Sequence, residues 1–156
     1  MKYSINYPLF ILTYNVYFKA MLGLDDKFLP KEKAQANVKS NISKVLTYNS
    51  FIFGLQEAAC IENIIPSGIS NSNYIIGKSG KEKMVTGWSK NFQLIKSYTT
   101  DFHRGRPIQM SLLKSLAGIY LVVNLHAPHE TQDFGNYKGK SKVSNKKYSK
   151  ELVKII

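Results

Sequence analysis

The sequence predicts one layered α+β domain, a mixed sheet with helices on its outer face, and three observations carry that expectation. An amphipathic helical pattern lies between two early apolar strands, four strand-like segments separated by turn residues follow, and a strongly apolar segment, 119–125, closes the regular part. The middle of the chain lacks the strand–helix alternation that a doubly wound parallel sheet requires. With 156 residues, 44% of them apolar, the chain is long enough for one hydrophobic core. Ten Tyr and eight Phe are too much stiff apolar material for a disordered tail.

Taken in order, residues 9–17 (LFILTYNVY) have the β-branched and aromatic content of a buried strand. After the charged, proline-containing stretch 25–31, Ala34, Val38, Ile42, Val45 and Leu46 recur on one face of a helix over about 30–47. Residues 51–56 (FIFGLQ) read as a second strand buried on both faces. A short helix fits 58–67, closed by Pro66 and Gly68. Strands are then expected at 73–77, 82–89, 92–102, 107–116 and 119–125, with turns at Asn91 and Gly118. Residues 134–150 hold six lysines and no acid and read as a basic loop, and 144–156 as an amphipathic terminal helix with Leu152, Val153 and Ile156 on its apolar side.

The chain carries 22 basic and 10 acidic side chains, a net charge of +12, and its only arginines are Arg104 and Arg106. A diffuse lysine field attracts polyanions such as nucleic acid and makes their binding salt-sensitive. A general bias toward Lys, Asn and Ile accounts for the same excess, and composition leaves both open. The apolar run at 8–16 falls short of the roughly 20 residues a bilayer span needs, and no A-x-A-like cleavage site follows it. A soluble, intracellular protein without a transmembrane segment is expected. The single cysteine, Cys60, excludes an intramolecular disulfide and any CxxC metal or redox motif.

Three polar residues stand at the ends of apolar strands: Asn15, Glu57 and His126. A carboxylate following FIFGLQ is costly to bury without a cation or hydrogen-bond donors. Mg²⁺ takes one or two carboxylates plus phosphate oxygens, so Glu57 suits such an ion, although taken alone a solvated Glu capping the next helix is the plainer reading. His126 precedes Ala127-Pro128 and leaves its strand there. An imidazole in that place can protonate a leaving oxygen or hydrogen-bond a phosphate, or simply anchor a loop carbonyl. His103 and His129 read as loop histidines.

Together, LTYNV (12–16), FGLQEA (53–58) and VNLHAP (123–128), with Gly105-Arg106-Pro107 before a strand and Glu82 opening another, resemble the endonuclease/exonuclease/phosphatase superfamily in order and approximate spacing. The resemblance covers about residues 9–128. It implies half of a four-layer α/β sandwich of the deoxyribonuclease-I-like type, and hydrolysis of phosphoesters, most simply nucleic-acid phosphodiesters, with Mg²⁺ or Mn²⁺ as cofactor. By position it makes Glu57 the metal ligand, Asn15 a phosphate or water contact, His126 the histidine on the scissile phosphate and Glu82 the acid orienting it. Arg106 becomes either a phosphate contact or half of a structural ion pair, and Asn124 a substrate contact.

The family continues with a G-D-x-N strand and ends on an S-D-H motif, whose residues bind phosphate and activate water. After His126 the only acids are Glu130, Asp133 and Glu151, none with Asn two residues on, and no histidine follows His129. The family domain runs to about 250 residues. The 1–156 chain therefore reads as a single truncated domain: one sheet, its outer helices and part of the site. The inner sheet face is expected to lie open, inviting self-association or a second polypeptide. Three readings follow: a phosphoesterase completed by further sequence, a non-catalytic remnant or Lys-rich nucleic-acid-binding module, and a domain whose polar residues only cap and anchor loops.

Overall fold

Strand β1 (Leu9–Asn15) runs parallel to β2 (Ser50–Gln56), in register from Leu9 opposite Ser50 to Asn15 opposite Gln56. Parallel neighbours need a crossover, and the segment between them supplies helices α1 (Phe18–Leu22) and α2 (Lys31–Val45). The computed structural model describes residues 8–24, 29–79, 82–103 and 106–126, so the basic loop expected at 134–150 and the helix at 144–156 lie outside the described residues. Helix α2 buries Ala34, Val38, Ile42 and Val45, the face its periodicity marks. A short helix, α3 (Ile61–Ile64), follows β2.

Beyond it come β3 (Tyr74–Ser79), β4 (Glu82–Trp88), β5 (Gln93–His103), β6 (Arg106–Ser115) and β7 (Gly118–Leu125). They do not extend a single sheet. A four-stranded mixed sheet has the order β1-β2-β4-β3, and a separate antiparallel sheet has the order β5-β6-β7. The expectation of one sheet with an open inner face is thus corrected: the second sheet lies on that face. One signal distinguishes the sheets in retrospect. Trp88, Phe92 and Leu113 are almost fully buried and pack with Ile52 of β2, so the chain turns over at Ser89–Asn91 and places β5 and β6 across the first sheet. A side chain on an outer strand face would not reach that degree of burial.

Strand β2 shows how the layers form. Its side chains alternate, with Phe51, Phe53 and Leu55 packing under α2 with Val38, Ile42 and Ile64, while Ile52, Gly54 and Gln56 face the second sheet. Phe53 lies over Gly87 of β4, where a β-carbon would stand 2.1 Å from its ring, so glycine is the residue that admits the ring. Buried Gln35 ties the outer layer together: its Nε2 donates to the Met21 carbonyl at 2.8 Å, and its Oε1 accepts from Asn63 Nδ2 at 3.1 Å.

No periodicity marks α1, five residues lying between a left-handed Tyr17 and Gly23. It forms because Ala20 and Met21 bury against the α2 layer, a tertiary cause that local propensity does not carry. Among the described residues no helix is long and apolar enough to cross a membrane.

Candidate active site

Five strand ends converge on one rim. Asn15 closes β1, Glu57 follows β2, Glu82 opens β4 and His126 leaves β7, while Arg106 opens β6. Parallel pairing of β1 with β2 brings Asn15 beside Glu57. The antiparallel β2–β4 ladder brings the start of β4 to the same edge. The facing sheet contributes His126 and Arg106.

Glu57 reaches the rim by a backbone irregularity. The β2–β4 ladder ends at Leu55 opposite Val85, and a further backbone bond, Ala58 N to Lys83 O at 2.8 Å, falls one residue out of step. The extra residue on the β2 side is a bulge, and Glu57 within it has φ 54°. Left-handed backbone is uncommon for a residue with a β-carbon and clusters where function requires a particular aim. Tyr17, two residues after Asn15, and Cys60 share it, with φ 54° and 49°. These three are the only non-glycine residues with positive φ among the described ones.

His126 is 5% exposed and stands at the centre. Its Nδ1 lies 2.5 Å from Glu82 Oε1, and its Nε2 lies 3.3 Å from Glu57 Oε1 and 3.2 Å from Asn15 Nδ2. Arg106 Nη1 approaches the ring nitrogens at 2.7–2.8 Å. A proton on Nδ1 donates to Glu82, while Nε2 faces both the Asn15 amide, from which its lone pair accepts, and the Glu57 carboxylate, to which it donates when it carries a proton. The Asn15 amide also donates to Glu57 Oε1 at 3.2 Å, so it bridges carboxylate and imidazole, and its Oδ1 accepts from the Tyr17 N–H at 3.0 Å. Side-chain exposures of 14% for Glu57 and 16% for Glu82 keep both carboxylates within reach of a bound group at the rim.

The structure thus brings together five of the six residues singled out from the sequence: Asn15, Glu57, Glu82, Arg106 and His126. The sixth, Asn124, sits below them in the interior, 4% exposed and with both ends of its amide bonded. Of the remaining histidines, His103 ends β5 and His129 lies outside the described residues. Gln56 and Thr86 carried no sequence expectation, although each is a polar residue in an otherwise buried strand. Beside Asn15, a mostly apolar cavity of about 300 Å³ opens between Tyr14, Tyr17, Met21 and Leu29.

No three His, Cys, Asp or Glu side chains form a metal-holding group among the described residues. The rim instead offers two carboxylates, Glu57 and Glu82, the second held on His126 Nδ1, with amide and imidazole nitrogens near the first. That donor set fits a hard divalent cation that keeps several waters and takes its other oxygens from a phosphate, and does not fit an all-protein zinc cage.

Two facing sheets with helices outside the first, and a polar rim at the strand ends, define a portion of a deoxyribonuclease-I-like sandwich, the fold of the endonuclease/exonuclease/phosphatase superfamily. Comparison with solved structures agrees. The chain is similar to a truncated TDP2 from Caenorhabditis elegans, with 20% identity and a TM-score of 0.54 over 79% of this chain and 47% of that one. It is similar to D. rerio TDP2 complexed with a single-strand DNA product (15% identity, TM-score 0.54, 80% and 48% covered) and to a humanized D. rerio TDP2 (14%, 0.56, 79% and 49%). The chain spans about half the length of these structures. No family model and no curated protein matches its sequence. Likeness at this identity speaks for the fold, and activity has to be argued from the site.

Proposed function

We propose that this chain contributes the metal- and phosphate-binding half of a phosphoesterase site acting on nucleic-acid phosphodiesters. The observation that supports it is the single constellation Asn15–Glu57–His126–Glu82 at one rim, assembled from both sheets. Glu57 would hold Mg²⁺ or Mn²⁺, which when bound polarises a phosphoryl oxygen and offsets developing charge. His126 Nε2 faces the rim and donates to a phosphate oxygen once protonated, while Glu82 fixes the ring through Nδ1. Asn15 holds the Glu57 carboxylate in place, and Arg106 adds positive charge where phosphate would sit. The apolar cavity beside Asn15 offers room for a base next to the bound phosphate. The +12 charge suits a polyanion, and lone Cys60 suits an intracellular location.

The sequence has neither a G-D-x-N nor an S-D-H motif, so activation of the attacking water is not assigned to any of its residues. That observation favours a second reading, a Lys-rich nucleic-acid-binding module without turnover. Nicking of supercoiled plasmid in Mg²⁺, beside an EDTA control and Glu57→Gln, separates the two. Cleavage lost in both controls supports the first. Folded protein that binds single-stranded DNA in a salt-dependent way but nicks nothing supports the second.

A further inference from the structure

We infer that Asn124 is a positioning residue whose buried amide joins the two sheets directly beneath the rim and sets Glu57 and Glu82 against His126. The problem it solves is geometric. Glu57 and Glu82 belong to the first sheet and His126 to the second. Two sheets packed face to face touch through side chains, so no backbone ladder fixes the separation of carboxylates and imidazole. Asn124 lies two residues before His126, and by strand alternation both side chains point toward the first sheet.

Its amide spans the junction. Nδ2 donates to the carbonyls of Leu55 at 3.3 Å and Val85 at 3.0 Å, the last paired residues of the β2–β4 ladder, and contacts Thr86 Oγ1 at 3.2 Å. Oδ1 accepts from Gln56 Nε2 at 2.7 Å, next in sequence to Glu57. Gln56 also donates to Thr13 Oγ1 at 3.2 Å, which carries the connection to β1 and Asn15. One side chain of the second sheet therefore bonds to both strands that carry the carboxylates, one residue before Glu57 and within four residues of Glu82.

Gly54 makes this approach possible. A β-carbon there would stand 3.1 Å from both Cγ and Oδ1 of Asn124 and push the amide back by a few tenths of an ångström. Glycine at this position and the polar Gln56 two residues on are thus one device, and the substrate contact first expected of Asn124 gives way to work done from behind the site. Groups of this kind orient the ligands of metal sites, and their loss typically weakens metal binding about 10–100-fold.

The inference rests on the proposed function only in that the geometry it maintains is that of the metal and phosphate site, and its test is independent of turnover. The ring ¹⁵N shifts of His126, assigned by their loss in His126→Gln, report its tautomer at one fixed pH. Mn²⁺ affinity is measured alongside. The wild type is expected to show a single Nδ1–H tautomer. Asn124→Ala and Gly54→Ala should each give a tautomer mixture and about tenfold weaker Mn²⁺ binding. Val38→Ala, which opens a cavity under α2 away from the rim, should destabilise the fold yet leave the tautomer unchanged. A mixed tautomer in the wild type, no change in either rim variant, or an equal change in Val38→Ala overturns the inference. Should Asn124→Ala fail to fold, Gly54→Ala decides, since it removes no polar group. A wild type that binds no Mn²⁺ sinks the functional reading instead, and the tautomer alone then judges Asn124.

Discussion

Glu57 sits at φ 54°, and that value sets the sign of an experiment. Left-handed backbone costs a residue with a β-carbon about 1–2 kcal/mol, whereas glycine occupies it freely but loses about 0.5–1 kcal/mol more on ordering from the unfolded chain. Glu57→Ala and Glu57→Gly delete the same carboxylate and the same contacts with Asn15 and His126, so their difference isolates the backbone. Subtracting the two terms leaves glycine ahead by about 0.5–1 kcal/mol. At an ordinary strand or helix position alanine would lead by a similar amount. For a chain of this size the gap corresponds to about 1–4 °C in Tm. Thermal unfolding of the two variants, checked by urea midpoints, measures it. Glu57→Ala equal to or more stable than Glu57→Gly would refute the claim that this turn is held against residue preference. Cys60, at φ 49°, provides an internal repeat with the same expected order.

The remaining expectations concern the packing beneath the rim and the charge around it. Leu113→Ala should destabilise by about 2–5 kcal/mol in urea unfolding, because Leu113 is fully buried between the sheets beside Trp88 and Ile52. Ser111→Ala should be neutral or stabilising by about 1 kcal/mol, since its hydroxyl is buried without a partner; a clear loss of stability would show that the hydroxyl is bonded after all. Gln35→Leu should cost about 1–3 kcal/mol by leaving the Met21 carbonyl and Asn63 amide short of a partner. Arg106→Ala should weaken single-stranded DNA binding and flatten the slope of log K against log salt by about 0.7 for one phosphate contact. An unchanged slope would leave Arg106 a purely structural contact of His126.

Much of the fold was legible because its elements carry their own periodicity. Helix α2 and strands β2, β4, β6 and β7 appear within a residue or two of their expected bounds. In each, the apolar run, the alternation or the 3.6-residue spacing is produced by the same burial that stabilises the element. Which strands share a sheet was not legible, because strand patterns record burial and not partners. Four antiparallel-looking segments in succession fit one meander as well as two sheets, and the crossover at Ser89–Asn91 is a long-range event marked locally only by turn residues. Helix α1 was missed for the complementary reason: five residues are too few to show a period, and it exists by docking.

The same distinction runs through the site. Glu57 and His126 stand out because charge or imidazole at the end of an apolar strand is conspicuous against its neighbours. The left-handed turn that aims Glu57 is invisible, since nothing in LQEAA calls for positive φ, and a glycine there would have been the readable signal. Asn124 and Gln56 show the harder case. Each lies in an apolar strand, so each was visible as an exception, but an exception in a buried strand has two explanations, contact with a ligand or contact across the interior. Only the path of the second sheet over the first decides between them. The space between the sheets is apolar near Ile52, Trp88 and Leu113 and becomes polar toward the rim, through Gln109, Thr86, Gln56 and Asn124. The apolar end supplies adhesion without direction, and the polar end supplies direction. A hydrogen-bonded junction placed next to the rim residues restricts how one sheet can slide on the other where sliding would separate Glu82 from His126.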